Sequence, residues 1–349
     1  MKTSHNHPHP HPLPEGEGVN SQTALFKGEG VNSQTALFKG EGVSRHSAEV
    51  AWVNNGGLLP LPLGEGGGEG GIQSPAAAST TTAGATISIW RAPELSMRFW
   101  PVFLRNLLVW RKLAIPSLVG NIAEPLMWLV AFGYGMGALV GQVTVAGKPV
   151  PYILFLASGS ICMSAMQAAS FEALYSAFSR MHVQKTWDGI MNAPVNLDDI
   201  VLAEMLWAAF KSLFTVTAIL GVMLALGISY SPKLLVAWPV LLGVGITFAC
   251  LALIFNALAK GYDFFTYYFT LFLTPMMFLS GIFFPLEQLP PVVRLISSWL
   301  PLTNAVDLVR PLFMDQWPEH VLRPVSVLIA YAVSGFWLAL VLTRKRFRG

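Results

Sequence analysis

The chain has 349 residues, of which 53% are hydrophobic and only 12% charged, with a formal net charge of +3. A soluble globular domain carries about a quarter charged residues, so this composition excludes an ordinary soluble fold and points to a membrane. The small net charge and the lack of any long basic run give no basis for a nucleic-acid partner.

In chain order, residues 1–94 come first and are a different kind of sequence. GEGVNSQTALFK occupies 16–27 and again 28–39, and GEGV begins a third copy at Gly40. Alternating His and Pro precede the repeats, and a Gly- and Glu-rich run ending at Gly71 follows them. No apolar periodicity here is long enough to offset backbone ordering. A twelve-residue repeat is also too short for a solenoid unit of roughly 20–50 residues. His5, His7, His9 and His11 are read as a polar tail rather than a metal site. No basic stretch followed by an apolar one marks a secretory leader. We read 1–94 as a low-complexity, disordered extension. The working protein is expected to begin near Met97, which mass spectrometry of the native N-terminus would check.

From about residue 95 the pattern is that of one membrane domain, 95–349. SMRFWPVFLRNLLVWRK (96–112) carries Arg98, Arg105 and Lys112 at a spacing of seven, with Phe99, Trp100, Phe103 and Trp110 roughly opposite. Basic on one side and aromatic on the other predicts an amphipathic helix lying in the headgroup layer. Six apolar runs follow, at about 117–140, 151–172, 199–227, 235–258, 264–284 and 324–343, each near the roughly 20 residues needed to cross. The expected fold class is therefore an all-α polytopic membrane protein with six transmembrane helices.

With six spans, both ends lie on one side. Arg98, Arg105, Arg111, Lys112, Arg180, Lys185, Lys260, Arg344, Lys345, Arg346 and Arg348 collect there. Lys148, Lys233, Arg294, Arg310 and Arg323 fall on the other side. The positive-inside rule makes the richer side cytoplasmic. The link after the second run, 173–198, has helical periodicity and an exposed Trp187-Asp188-Gly189 centre, with Asp198-Asp199 placed to cap the next helix. The link after the fifth run, 285–323, has an apolar stripe at Val292, Leu295, Ile296 and Trp299 and reads as a helical outer hairpin.

Enzyme chemistry is sparse. No HExxH, Ser-His-Asp order or paired carboxylate cluster stands out. GQVTVAGKP (141–149) has five residues between its glycines and Pro149 where a phosphate loop needs Ser or Thr, so it is rejected as an ATP site. Cys162 and Cys250 lie in apolar runs and read as packing residues, and no metal site is expected. Glu124 lies two turns into the first run, before Pro125. Glu204 and Lys211 share a face of the third but are too far apart to pair with each other. There is no acidic relay for an ion-driven carrier and no pore signature for a channel.

Taken together, these features resemble the permease subunits of type-2 ABC exporters, and within them the nodulation protein J-like, lipo-oligosaccharide-exporting branch. FLSGIFFPLEQLPPVVRLISSWLPLTNAVDLVR (278–310) carries the most specific likeness, with NIAEPLMWLVAFGYGMG (121–137) and KTWDGIMNAPV (185–195) beside it. The resemblance covers about 95–349. It implies a transport subunit rather than an enzyme, set in a bacterial inner membrane among its lipids. Two permease copies would pair with two ABC ATPase subunits, which hold the ATP and Mg²⁺, so this chain carries no cofactor. Lys185, Trp187, Asp188 and Gly189 would dock on the ATPase. Glu124, Trp128, Phe132 and Tyr134 of the first span, with Phe269, Phe272 and Phe278 of the fifth, would line the substrate path. Gly281, Pro285 and Glu287 would form a hinge at an outer gate. A multidrug efflux permease and a membrane-embedded glycolipid-modifying enzyme are the alternative readings, and the second lacks the clustered carboxylates or histidines it needs.

Overall fold

The computed structural model describes residues 90–145 and 147–348, apart from the side chains at 118, 121 and 124. The twelve-residue repeats and the His-Pro segment with His5, His7, His9 and His11 lie outside the described residues. The chain is a bundle of helices, α1 (Phe99–Arg111), α2 (Ala114–Trp128), α3 (Gly137–Val140), α4 (Tyr152–Phe171), α5 (Thr186–Met191), α6 (Leu197–Ala225), α7 (Leu234–Leu258), α8 (Phe265–Tyr267), α9 (Thr274–Leu279), α10 (Pro291–Ser297), α11 (Pro301–Phe313) and α12 (Leu322–Arg348). One element departs from the all-α expectation. The segment read as a failed phosphate loop is an antiparallel hairpin, β1 (Gln142–Val145) with β2 (Lys148–Pro151), whose Val143 faces Val150.

Among the described residues, four helical runs are long and apolar enough to cross a membrane: Tyr152–Val183, Leu197–Ala225, Leu234–Leu258 and Leu322–Arg348. The pair α10 and α11 passes the same test only as a single unit, and it is bent by 84°. The other two expected spans, 117–140 and 264–284, do not form continuous helices of that length. Pro125 lies inside α2, π-helical Leu129–Met136 follows, and the apolar run Pro125–Val140 is short. Proline removes one ladder hydrogen bond and crowds the preceding turn. The run around 264–284 begins with a 3₁₀ turn at Tyr262–Phe264, passes through π-helical Tyr268–Leu273 and stops at Leu279. In contrast, the second expected span does not end at residue 172. It continues through two π-helical turns to Val183, so much of the supposed link 173–198 is an extension of that helix.

Helix α7 is the centre of the bundle and packs against α12, α6, α4 and α11. Several of its inner positions are small or β-branched, among them Val244, Ala249, Cys250 and Ala252, all buried, which lets neighbouring backbones approach closely there. Helix α1 packs on α6. Its aromatic side, opposite the basic one, turns onto α6. Phe103 is buried against Trp207 and Phe210, and Trp110 stacks on Phe214 with centroids 5.1 Å apart. Trp100 alone of the four aromatics is as much as half exposed, at 52%. Aromatic faces on α6 hold the ring edges of α1, and such pairs add about 0.5–1.5 kcal/mol beyond burial.

Candidate coupling site and substrate path

A buried charge cluster forms where the extension of α4 meets α5 and α6. Arg180 donates Nε to Glu204 Oε1 at 2.9 Å and Nη2 to Glu204 Oε2 at 2.5 Å, and Nη2 also reaches Glu172 Oε1 at 3.0 Å. Lys211 donates to Glu172 Oε2 at 2.6 Å, where the Ser176 hydroxyl donates as well, at 2.9 Å. Two indoles complete the set. Trp207 Nε1 donates to Glu172 Oε1 at 2.7 Å, and Trp187 Nε1 to Glu204 Oε1 at 3.2 Å. Both carboxylates are buried. Removing such charges from water costs several kcal/mol per ion, and only good geometry with every lone pair engaged repays it. All four carboxylate oxygens here accept at least one hydrogen bond.

Trp187 was expected to be exposed. It is 1% exposed, its indole bonded to Glu204 and its ring stacked on Phe347 at 6.1 Å. An indole with an acceptor and an aromatic partner is more stable inside than in water. Lys185, Asp188 and Gly189 remain at the surface. Lys185 caps α5 with φ 49°, a left-handed conformation that a non-glycine residue adopts at some cost. The short helix α5 therefore presents a polar outer face and is fastened beneath it to two membrane runs through Trp187, Glu204 and Arg180. Arg180 is a largely covered ion-pair partner of two buried acids.

A second junction was also missed. Asp198 and Asp199 do not cap their own helix; the N-cap position is Asn196, without a side-chain cap bond. Asp199 instead accepts from Ser96 N at 2.7 Å and Ser96 Oγ at 2.6 Å, and Asp198 accepts from Glu94 N at 2.9 Å and Arg344 Nε at 2.9 Å. Arg346 donates to the carbonyls of Asn256, Ala257 and Ala259, closing the open end of α7. Arg344 and Arg346 thus tie the bundle together, beyond flanking the membrane. The sequence signal was present: two acids at a helix start and two arginines at a helix end, with no local partner.

At the other end, Gly281 has φ +68°, and a Cβ there would lie 2.8 Å from Leu286 Cγ. Only glycine fits this turn, as its position after the fifth run suggested. Pro285 is buried and Glu287 exposed. The turn is anchored by a residue not singled out from the sequence. Arg310 of α11 is buried, donates Nη2 to Gly281 O at 2.6 Å and Nε to Ser158 Oγ at 3.1 Å, and lies 3.9 Å from the Phe155 ring centroid. Gly159, the neighbour of Ser158, lets Ile282 approach to within 3.0 Å of where a Cβ would stand.

The aromatic residues expected along the substrate path divide into two groups. Trp128 and Phe132 stack at 5.1 Å, both reach Phe283 at 5.9 and 6.1 Å, and Phe278 joins it at 5.6 Å. Tyr134 is exposed nearby in sequence. Phe269 instead packs on Phe171 at 4.6 Å, and Phe272 on Tyr268 at 5.5 Å. The side chain of Glu124 lies outside the described residues. Among the described residues no group of acids, histidines or cysteines is arranged to hold a metal.

These features define a multi-pass helical membrane protein whose buried charge is spent on joining helices. The model of the ABC-2 type transporter family matches residues 97–314, and the chain belongs to that family. It is 43% identical over 245 residues to nodulation protein J of Sinorhizobium fredii, covering 70% of this chain and 92% of that one. It is 41% identical over 254 residues to nodulation protein J of Bradyrhizobium diazoefficiens, covering 73% and 95%. It is 23% identical over 240 residues to the inner membrane transport permease YadH of Escherichia coli, covering 67% and 90%. The chain is a nodulation protein J-like type-2 ABC permease, a transport subunit.

Proposed function

We propose that this chain is the permease subunit of an ATP-driven exporter that moves an amphiphilic lipo-oligosaccharide, or a related glycolipid or polysaccharide, across a bacterial inner membrane. The carrying observation is the fastening of α5 to two membrane runs through Trp187, Glu204 and Arg180. A helix with an exposed polar face and a rigid root can pass a push from a soluble partner into the membrane. That partner is an ABC ATPase subunit, which supplies ATP and Mg²⁺. Lys185, Asp188 and Gly189 meet it, and Trp187 positions them from below. Similarity to nodulation protein J over more than nine-tenths of two relatives' length supports the substrate class.

In this reading the broken runs around 114–140 and 265–279 complete six crossings, and both termini are cytoplasmic. Two copies pair. The amphiphile rises between the first and fifth segments, beside Trp128, Phe132, Tyr134 and Phe278, with Glu124 at the inner mouth and Phe269 and Phe272 behind the wall. It leaves at the turn of Gly281, Pro285 and Glu287, which Arg310 holds. The test is co-purification of an ABC ATPase with the full chain, followed by export with Lys185→Ala and Asp188→Ala together. We expect the double variant to fold normally but to hydrolyse ATP without matching export. Full export by that variant would remove α5 from the mechanism.

A further inference from the structure

The seam between α1 and α6 holds donors without acceptors. Asn106 is 3% exposed, and its Nδ2 has no hydrogen-bond partner among the described residues. One turn further on, Trp110 Nε1 is also buried and unpartnered. Arg105 donates Nη1 to Asn106 Oδ1 at 3.2 Å, which places its guanidinium beside the amide and occupies the amide oxygen. Trp110 leans on Trp207 and Phe214 of α6, at 5.9 and 5.1 Å. A buried donor left unmade is costly, and such groups commonly mark a missing water, ion or ligand.

The neighbouring acids do not meet this need. Glu172 and Glu204 already accept from Arg180, Lys211, Ser176, Trp187 and Trp207. Two carboxylates against Arg180 and Lys211 leave that cluster neutral, and Arg105 forms no ion pair among the described residues. Burial, and next the nearby Arg180 charge, lower the pKa of Arg105, partly offset by Glu204. The seam thus presents one uncompensated guanidinium and two idle N–H groups. The same helix exposes Leu108 and Val109, suited to an acyl chain.

We propose that the seam binds the anionic headgroup of an amphiphile, a phosphate or sulfate received by Arg105, Asn106 Nδ2 and Trp110 Nε1. The headgroup belongs to a membrane phospholipid or to an acidic exported amphiphile; only the second case rests on the export reading. Binding needs neither ATP nor transport, so failure here and failure of the export reading are separable.

The test is native mass spectrometry of the full chain in detergent, titrated separately with phosphatidylglycerol, a sulfated glycolipid and phosphatidylcholine. Charge-assisted hydrogen bonds of this kind predict about tenfold preference for an acidic amphiphile, lost in Arg105→Gln and in Asn106→Leu. Arg111→Gln, an exposed cation on the same helix, should keep it. Retention of phosphatidylglycerol alone assigns the site to membrane lipid, and of the sulfated glycolipid alone to an exported amphiphile. Equal retention of phosphatidylcholine, equal behaviour of Arg105→Gln and Arg111→Gln, or losses confined to variants whose melting temperature falls would overturn the proposal. A trapped water at Asn106 would produce the second of these results.

Discussion

Arg180 serves two carboxylates at once, Glu172 at 3.0 Å and Glu204 at 2.5 Å. Arg180→Met should therefore leave two buried acids undercompensated and cost about 3–5 kcal/mol, read as a lower thermal midpoint in detergent. Trp187→Phe keeps an aromatic ring but removes the N–H and part of the indole's volume, and should cost at least about 1–3 kcal/mol because a buried carboxylate oxygen loses a donor and a void is left. Gly281→Ala faces two penalties, a left-handed φ of 68° and contact with Leu286. The backbone part alone is about 1–2 kcal/mol, so adding Leu286→Ala should restore only some of the lost stability. Gly281 was legible in the sequence because a glycine closing an apolar run has one common use. Glu172 was not, because it fell at the expected end of a span and read as link. Glu204 and Lys211 share a face, and what they meet there is Arg180 and Glu172, eight apart on the extension of α4.

At the scale of elements, α1 is held by its own start as much as by its aromatic face. Ser96 gives both its N–H and its hydroxyl to Asp199, and Arg98 donates to the carbonyl of Pro194. Asp199→Ala should free this segment. Hydrogen exchange should rise in residues 94–98 while α7, with a fully packed interior, stays protected; unchanged exchange at 94–98 would show that the Asp199 bonds contribute little. Hydropathy located the four described helices that are long and apolar enough to cross. It missed how runs end. Pro125, the π-helical turns and the continuation of α4 to Val183 depend on packing between helices, which no single-run average contains. The short hairpin β1–β2 escaped for the same reason, its strands being only four residues each.

At the scale of the whole molecule, charge is divided by purpose. Acids and arginines inside the bundle join helices, whereas Lys185, Asp188, Lys260 and Lys345 stay at the surface. Resemblance to the family was legible from 278–310 and 185–195, which hold a glycine at the end of an apolar run, a proline pair and a Trp-Asp-Gly centre. The structure buries Trp187 against Glu204 and leaves Lys185, Asp188 and Gly189 exposed around it. The most direct test is ATP-dependent accumulation of a lipo-oligosaccharide in inside-out vesicles containing the full chain, with and without its ABC ATPase. ATP-driven export predicts uptake only when both subunits and ATP are present. Equal uptake by the chain alone, without ATPase or ATP, would contradict it.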